Sequence, residues 1–221
     1  MHRGGDDAAR IVRVRCAEVP ASLPESTVER WLRALPEPRG SMLAQRLQAG
    51  TGLASLTALA LLAGFAATRK TPPLDCLAWT ASGKPHFSGG PGISFTHSRG
   101  FAACAVAPRG LDVGIDLEPA NRARAAAVGQ VAGATERRAL AEGLVSPTGL
   151  WVAKEAVLKA AGIGLADIRK VELGRRRARL GGVVYRWRHF RLRRGLLLAV
   201  ATPGRLPPVR IEWPAPAAVF C

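Results

Sequence analysis

Apolar and polar residues alternate through Ile11-Val12-Arg13-Val14-Arg15, the two-residue period of a half-buried strand. The pattern then changes. Pro24 to Leu35 reads as a helix with Ser22 available as its N-cap and Trp31 and Leu32 on the apolar side. Pro36 to Gly40 breaks it. Ser41 caps a longer helical stretch carrying Leu43, Leu47, Leu53, Leu56, Leu59, Ala60 and Leu62, with Gly50 and Gly52 placed to interrupt it. Leu53 to Ala67 is apolar apart from Ser55, Thr57 and Gly64. At about 15 residues it falls short of the roughly 20 that a membrane span needs, so it reads as a buried helix.

Residues 71–92 are rich in loop formers: Pro72-Pro73, Gly83-Lys84-Pro85 and Gly89-Gly90-Pro91-Gly92. A loop of about 20 residues inside a compact domain is often functional or mobile. Ile93 to Ser98 and Phe101 to Ala107 read as a hairpin around Arg99-Gly100. Leu111 and Val113 lead into Gly114-Ile115-Asp116-Leu117-Glu118, a strand that ends at Pro119. Asn121 to Ala134 has no readable pattern. Thr135-Glu136 opens a helix. Ser146-Pro147 supplies an N-cap and first helical residue for the next one, which Gly162 and Gly164 end. The remainder is strand-like: Val171 to Leu173, a hairpin of Val183–Leu192 with Leu196–Thr202 across Arg193-Arg194-Gly195, and a last strand at Arg210 to Trp213.

The 221 residues suit one large domain or two small lobes. With 48% hydrophobic residues the chain buries a sizeable core. The net charge is +16, nearly all of it arginine. Such a chain has affinity for something acidic: nucleic acid, an anionic membrane surface, phosphate-rich ligands or an acidic protein. The cysteines at 16, 76, 104 and 221 are dispersed. That spacing argues against a disulfide framework or a zinc site and fits a reducing cytosol. The start, Met1 to Asp7, lacks the apolar run of a signal peptide.

Side chains alternate in a strand, so Asp116 and Glu118 share one face, about 7 Å apart. They form either a solvated acidic edge or half of a site for a hard cation, Mg²⁺ before Zn²⁺. On the helix after Ser146, Trp151, Glu155 and Lys159 are spaced i, i+4, i+8 and share a face, with Lys154 at its margin. A surface Glu–Lys pair is the plain reading. His97 stands beside two hydroxyls at a strand end, as a turn histidine or as a donor to phosphate. Arg39 and Arg46 flank the early helical turns, as a solvated face or a phosphate grip. The arginines of 169–194 form the densest basic block, a solvated sheet face or a nucleic-acid surface.

In order, the chain shows Gly83-Lys84-Pro85, Ser94-Phe95-Thr96-His97-Ser98, Gly114-Ile115-Asp116-Leu117-Glu118, and Trp151-x-x-Lys154-Glu155-Ala156-x-x-Lys159 with Gly162-x-Gly164-Leu165. This succession resembles the 4′-phosphopantetheinyl transferases, more narrowly their monomeric, two-lobed surfactin-type class. It spans residues 83–165. The family usually has Asn where this chain has Ser94, and the helix around Arg46 lacks the family's Arg-rich pattern.

The resemblance implies an α+β fold of two similar lobes, residues 1–110 and 111–221. Each would be a long helix on a small antiparallel sheet, with the site in the cleft between them. It implies transfer of phosphopantetheine from coenzyme A to a serine of an acidic apo carrier protein, with Mg²⁺ or Mn²⁺ as cofactor. Asp116, Glu118 and Glu155 would hold the metal. Glu155, or more weakly Glu136, would take the serine proton, and Lys159 would stabilise the leaving phosphate. Lys84, Thr96, His97, Lys154 and Lys159 would contact coenzyme A, with Arg39 and Arg46 at its 3′-phosphate. A cytoplasmic monomer is expected, with no nucleic acid and no membrane. Two other readings stand beside it: a nucleic-acid-binding protein using the arginine-rich sheet, and a catalytically dead member that binds carrier proteins.

Overall fold

The computed structural model describes residues 11–68, 70–122 and 125–220. The start, read above for a signal peptide, and Cys221 lie outside the described residues. The chain runs β1 (Val12–Glu18), α1 (Glu25–Arg33), α2 (Arg39–Gln48), α3 (Leu53–Ala66), β2 (Ala78–Trp79), β3 (Pro85–His86), β4 (Pro91–Ser98), β5 (Phe101–Arg109) and β6 (Gly114–Pro119). It continues through α4 (Ala125–Val131), α5 (Ala134–Ala141), α6 (Pro147–Ala161), β7 (Glu172–Leu173), β8 (Arg177–Leu180), β9 (Val183–Arg191), β10 (Leu196–Pro203) and β11 (Val209–Glu212). The mixed α+β expectation holds.

The strands form two main sheets, β11-β1-β5-β4 and β6-β10-β9-β8-β7. Val12, Val14, Cys16, Ala103 and Ala105 of the first sheet share a core with Ile115, Leu117, Leu198 and Val200 of the second. The far face of the first sheet packs on α3 through Cys104, Val106, Leu59, Leu62 and Phe65. The far face of the second packs on α6 through Ala199, Ala201, Val157 and Trp187. The layers are therefore helix, sheet, sheet, helix.

Local chemistry explains the boundaries. The stretch expected from Ser41 to Ala67 is two helices, because Gly50 turns the chain at φ 72°. Ser41 lies inside α2 and bonds Glu37 instead of capping. Pro24, not Ser22, precedes α1. Ser146 caps α6 by accepting from the Gly149 N–H at 3.0 Å, and Gly162 closes it in the left-handed region. Both expected hairpins form. The 71–92 stretch contains its own ribbon, β2 with β3. No helix among the described residues is long and apolar enough to cross a membrane.

The last strand departs from the expected division at residue 111. β11 pairs in parallel with β1, Val12 opposite Val209 through Arg15 opposite Glu212. Val219 and Phe220 then join the core beside Trp31. The C-terminal segment thus belongs to the first sheet, a long-range pairing with no local sequence signal.

β6 lies so close on α6 that a Cβ at Gly114 would sit 1.9 Å from the Ala156 carbonyl oxygen and 2.3 Å from the Ala160 nitrogen. Both are backbone atoms and cannot swing aside. Gly114→Ala is expected to destabilise the protein by about 3 kcal/mol or to prevent folding, read by denaturant unfolding.

Candidate active site

Asp116 and Glu118 are each only 5% exposed, which rules out the solvated acidic edge. Their neighbour is β4. No backbone ladder joins β4 to β6; hydroxyls join them instead. Ser94 Oγ accepts the Ile115 N–H at 3.1 Å, and Thr96 Oγ1 accepts the Leu117 N–H at 3.3 Å. Thr96 donates its own proton to Asp116 Oδ1 at 2.8 Å, and Ser98 donates to Glu118. Every second residue from Ser94 to Ser98 therefore holds β6 or one of its carboxylates. This corrects the expectation for Thr96: its hydroxyl proton is committed to Asp116, not to a phosphate.

Two cations complete the cluster. Lys159 Nζ lies 2.7 Å from Asp116 Oδ1 and 3.8 Å from Glu155 Oε2. Arg122 donates to both oxygens of Glu118 and lies 3.4 Å from Ser98 Oγ. Glu118 raises the already high pKa of Arg122. The Arg122 carbonyl also accepts from Thr148 Oγ1 at 2.7 Å, tying the strand exit to the first turn of α6. Sequence reasoning passed over Arg122, because residues 121–134 show no periodicity.

These side chains border a cavity of about 460 Å³. Asp116, Glu118, Glu155, Lys159, Thr96 and His97 are among its polar lining. Leu35, Met42, Leu43, Leu59, Trp79 and Phe95 supply apolar lining, and Arg39 and Arg46 also border it. Arg39 sits over the Trp79 ring at 4.7 Å, a contact the sequence reading did not foresee. So Arg39, Arg46, Thr96, His97, Asp116, Glu118, Glu155 and Lys159 come together.

Lys84 and Lys154, expected on coenzyme A, do not line this cavity. Lys84 donates to Asp112 and to the Ala160 carbonyl at 2.8 Å, fastening the end of α6. Lys154 is 1% exposed and lies 2.9 Å from Glu136 Oε2, with its ammonium also donating to Val171 O at 2.6 Å. Glu136 in turn accepts from the N–H groups of Gly133 and Leu173. Glu136 is thereby removed as a base: its carboxylate is buried and engaged away from the cavity. Trp151, one turn before Glu155, is buried in the core that α6 shares with the second sheet.

Residues 112–196 match the family model of the 4′-phosphopantetheinyl transferase superfamily. The segment is similar to that superfamily over this stretch. It includes the acidic strand, α5 and α6, and therefore Asp116, Glu118, Glu136, Lys154, Glu155 and Lys159. The arginines of α2 and the hydroxyls of β4 lie outside the match. No curated protein shows significant similarity to the chain. The superfamily's chemistry is phosphopantetheine transfer, and the similarity supports chemistry of this general kind.

Among the described residues, no three His, Cys, Asp or Glu side chains converge as a metal-ligand group. The donor chemistry nevertheless fits a hard divalent ion. Asp116 Oδ2 is buried without a hydrogen-bond partner, and Glu118 and Glu155 border the same cavity. Oxygen ligands of this kind suit Mg²⁺ or Mn²⁺.

Two tests follow from this geometry. Lys154→Met leaves a bare buried carboxylate and is expected to cost about 3–5 kcal/mol in chemical unfolding. Adding Glu136→Gln is expected to recover part of that loss, since the amide removes the bare charge. The second concerns pH. Burial, then Lys159 and Arg46, push the His97 imidazole below 6.5, with Asp116 opposing. Burial also lowers His189, offset in part by its bond to the Gly149 carbonyl. The unfolded chain therefore takes up protons near pH 6.5 that the folded chain accepts only at lower pH. Stability is full above 6.5 and falls as pH drops through it. Unfolding midpoints followed from neutral to mildly acidic pH are expected to decline, and His97→Gln to flatten part of that slope.

Proposed function

We propose that the protein moves the 4′-phosphopantetheine group of coenzyme A onto a serine of an apo acyl or peptidyl carrier protein, releasing adenosine 3′,5′-bisphosphate. One observation carries the reading. Three carboxylates, Lys159, His97 and two arginines border a single cavity, in a chain whose acidic strand and α6 match the superfamily. The similar pairing of α3 with the first sheet and α6 with the second supports a two-lobed, surfactin-type enzyme that acts as a monomer.

The cavity's mixed charged and apolar lining suits a co-substrate that carries both phosphates and a nucleoside. Arg39 and Arg46 offer guanidinium groups for the nucleotide phosphate, and Trp79 with the neighbouring aliphatic groups offers apolar cover. His97 and Lys159 in the same lining would meet the pyrophosphate. His97 is neutral near pH 7, because its pKa is lowered, and donates one N–H.

Asp116, Glu118 and Glu155 would hold Mg²⁺, or Mn²⁺, which supplies charge neutralisation at the pyrophosphate oxygens. Glu155 accepts the proton of the carrier serine as its oxygen bonds to the β-phosphorus. The bond from that phosphorus to the bridging oxygen breaks, and the charge developing on the departing phosphate falls beside Lys159. Thr96 and Ser98 keep the two strand carboxylates in register through this step. The chain's +16 charge favours encounter with an acidic carrier.

Intact mass of an apo carrier, incubated with the protein, coenzyme A and Mg²⁺, is expected to rise by about 340 Da, and EDTA to abolish the gain. Asp116→Asn keeps the size of the side chain and is expected to lose transfer while unfolding cooperatively. Undiminished transfer by that variant would remove the carboxylate argument. Failure to modify several carriers while coenzyme A still binds would favour the inactive carrier-binding reading.

A further inference from the structure

The second sheet has one face that is only half covered. Over β6 and β10 that face lies under the first sheet, through Ile115, Leu117, Leu198 and Val200. Moving outward along the same rows, Val200 is opposite Arg188, Thr202 is opposite Arg186, and Arg186 is opposite Arg177. The uncovered part of the face is rich in arginine, with the exposed Val184 next to Arg186 on the same row. Arg175, Arg176, Arg177 and Arg186 border one cavity of about 460 Å³. Arg176, Arg186, Arg188 and Arg205 border a second of about 510 Å³. The two share Arg176 and Arg186, and neither is bordered by a carboxylate.

This arrangement works against the fold. Arg177 and Arg186 are direct cross-strand partners, and like charges so placed destabilise a sheet. Ion pairs with described carboxylates hold arginines elsewhere, at 33, 122, 138 and 194, but none of these six. A solvated face of mixed sign would avoid the repulsion.

We propose that this face is a second binding site, for the phosphate backbone of a single-stranded nucleic acid. Three features favour that partner. Arginine forks match phosphate oxygens. Residues i and i+2 along a strand lie roughly 7 Å apart, as Arg186 and Arg188 do, a spacing that suits two successive phosphates. Phe190, with Arg188 over its ring at 5.4 Å, borders the second cavity and gives a base an aromatic edge. The carboxylates of an acidic protein have no such fixed repeat. The site lies on the face of the sheet opposite to Asp116 and Glu118 and does not depend on the transferase reading.

The test is fluorescence anisotropy of a labelled single-stranded oligonucleotide, DNA and RNA in parallel, across a salt series. Arg186→Glu is compared with Arg33→Glu, an equal charge change at an exposed residue of α1. Arg186→Glu is expected to weaken binding at least about tenfold and to lower the salt slope by about one, while Arg33→Glu changes affinity less than about twofold. Because the introduced carboxylate would face Arg177, the melting temperature is expected to hold or to rise by up to about 4 °C. Loss of binding with retained stability separates a site from a folding defect. Equal losses in both variants would mean diffuse attraction and overturn the proposal. So would an apo carrier protein that displaces the oligonucleotide and itself loses affinity with Arg186→Glu. Coenzyme A binding, measured on the same variant, is expected to be unchanged.

Discussion

The hydroxyl ladder of β4 is the contact on which the rest of the site depends. Two carboxylates on one strand, each almost wholly buried, repel each other and lose hydration. They are tolerated because donors reach them from three directions. Thr96 and Ser98 approach from the neighbouring strand, Lys159 from α6, and Arg122 from the strand exit. The same hydroxyls replace the backbone carbonyls that a sheet neighbour would offer to Ile115 and Leu117. The edges of the two sheets are joined here by side chains. That leaves the acidic strand held firmly on its backbone side while its carboxylates still reach the cavity.

α6 supplies the second constraint. It is buried on nearly every side, so its polar residues must each find a specific partner. Lys154 and Glu155 are adjacent in sequence and about 100° apart around the helix, so they serve different surroundings. Lys154 and Glu136 clamp α5 and the segment before β7 from within the core. Glu155 and Lys159, only about 40° apart, face the cavity together. Lys84 anchors the far end of the helix through the Ala160 carbonyl. Fixing the helix at both ends and from beneath sets the distance between Glu155 and the acidic strand.

What was legible in the sequence was what local pattern controls. Alternation placed Asp116 and Glu118 on one face, Ser146-Pro147 and Gly162 bounded α6, and Arg99-Gly100 turned the hairpin. Partner choice was not legible. Lys154 and Lys159 look alike as basic residues near Glu155; helical arithmetic puts them about 140° apart, yet only packing shows which side is the core. Thr96 carries a hydroxyl in either role, and the structure decides that its proton goes to Asp116. Arg39 and Arg46 lay in a helix with no aromatic signal in it. Their place at the cavity depends on Trp79, which comes from a different part of the chain. The pairing of β11 with β1 joins segments near opposite ends of the sequence, where no sequence period reaches.

Net charge, the most conspicuous property of the composition, turns out to be a poor guide to the site. A chain of +16 buries Asp116 and Glu118 side by side on one strand and neutralises them with its own Lys159 and Arg122. Those pairs lie within a few ångströms, inside the screening length at physiological salt, so they persist where the long-range field does not. Arg177, Arg186 and Arg188 stand on the other face of the same sheet, one layer of backbone away. A sheet separates its two faces residue by residue, so opposite signs of charge can alternate along neighbouring rows without meeting. The field near each face is therefore set by the side chains on that face. Attraction at a distance and chemistry at contact are controlled by different residues of the same few strands.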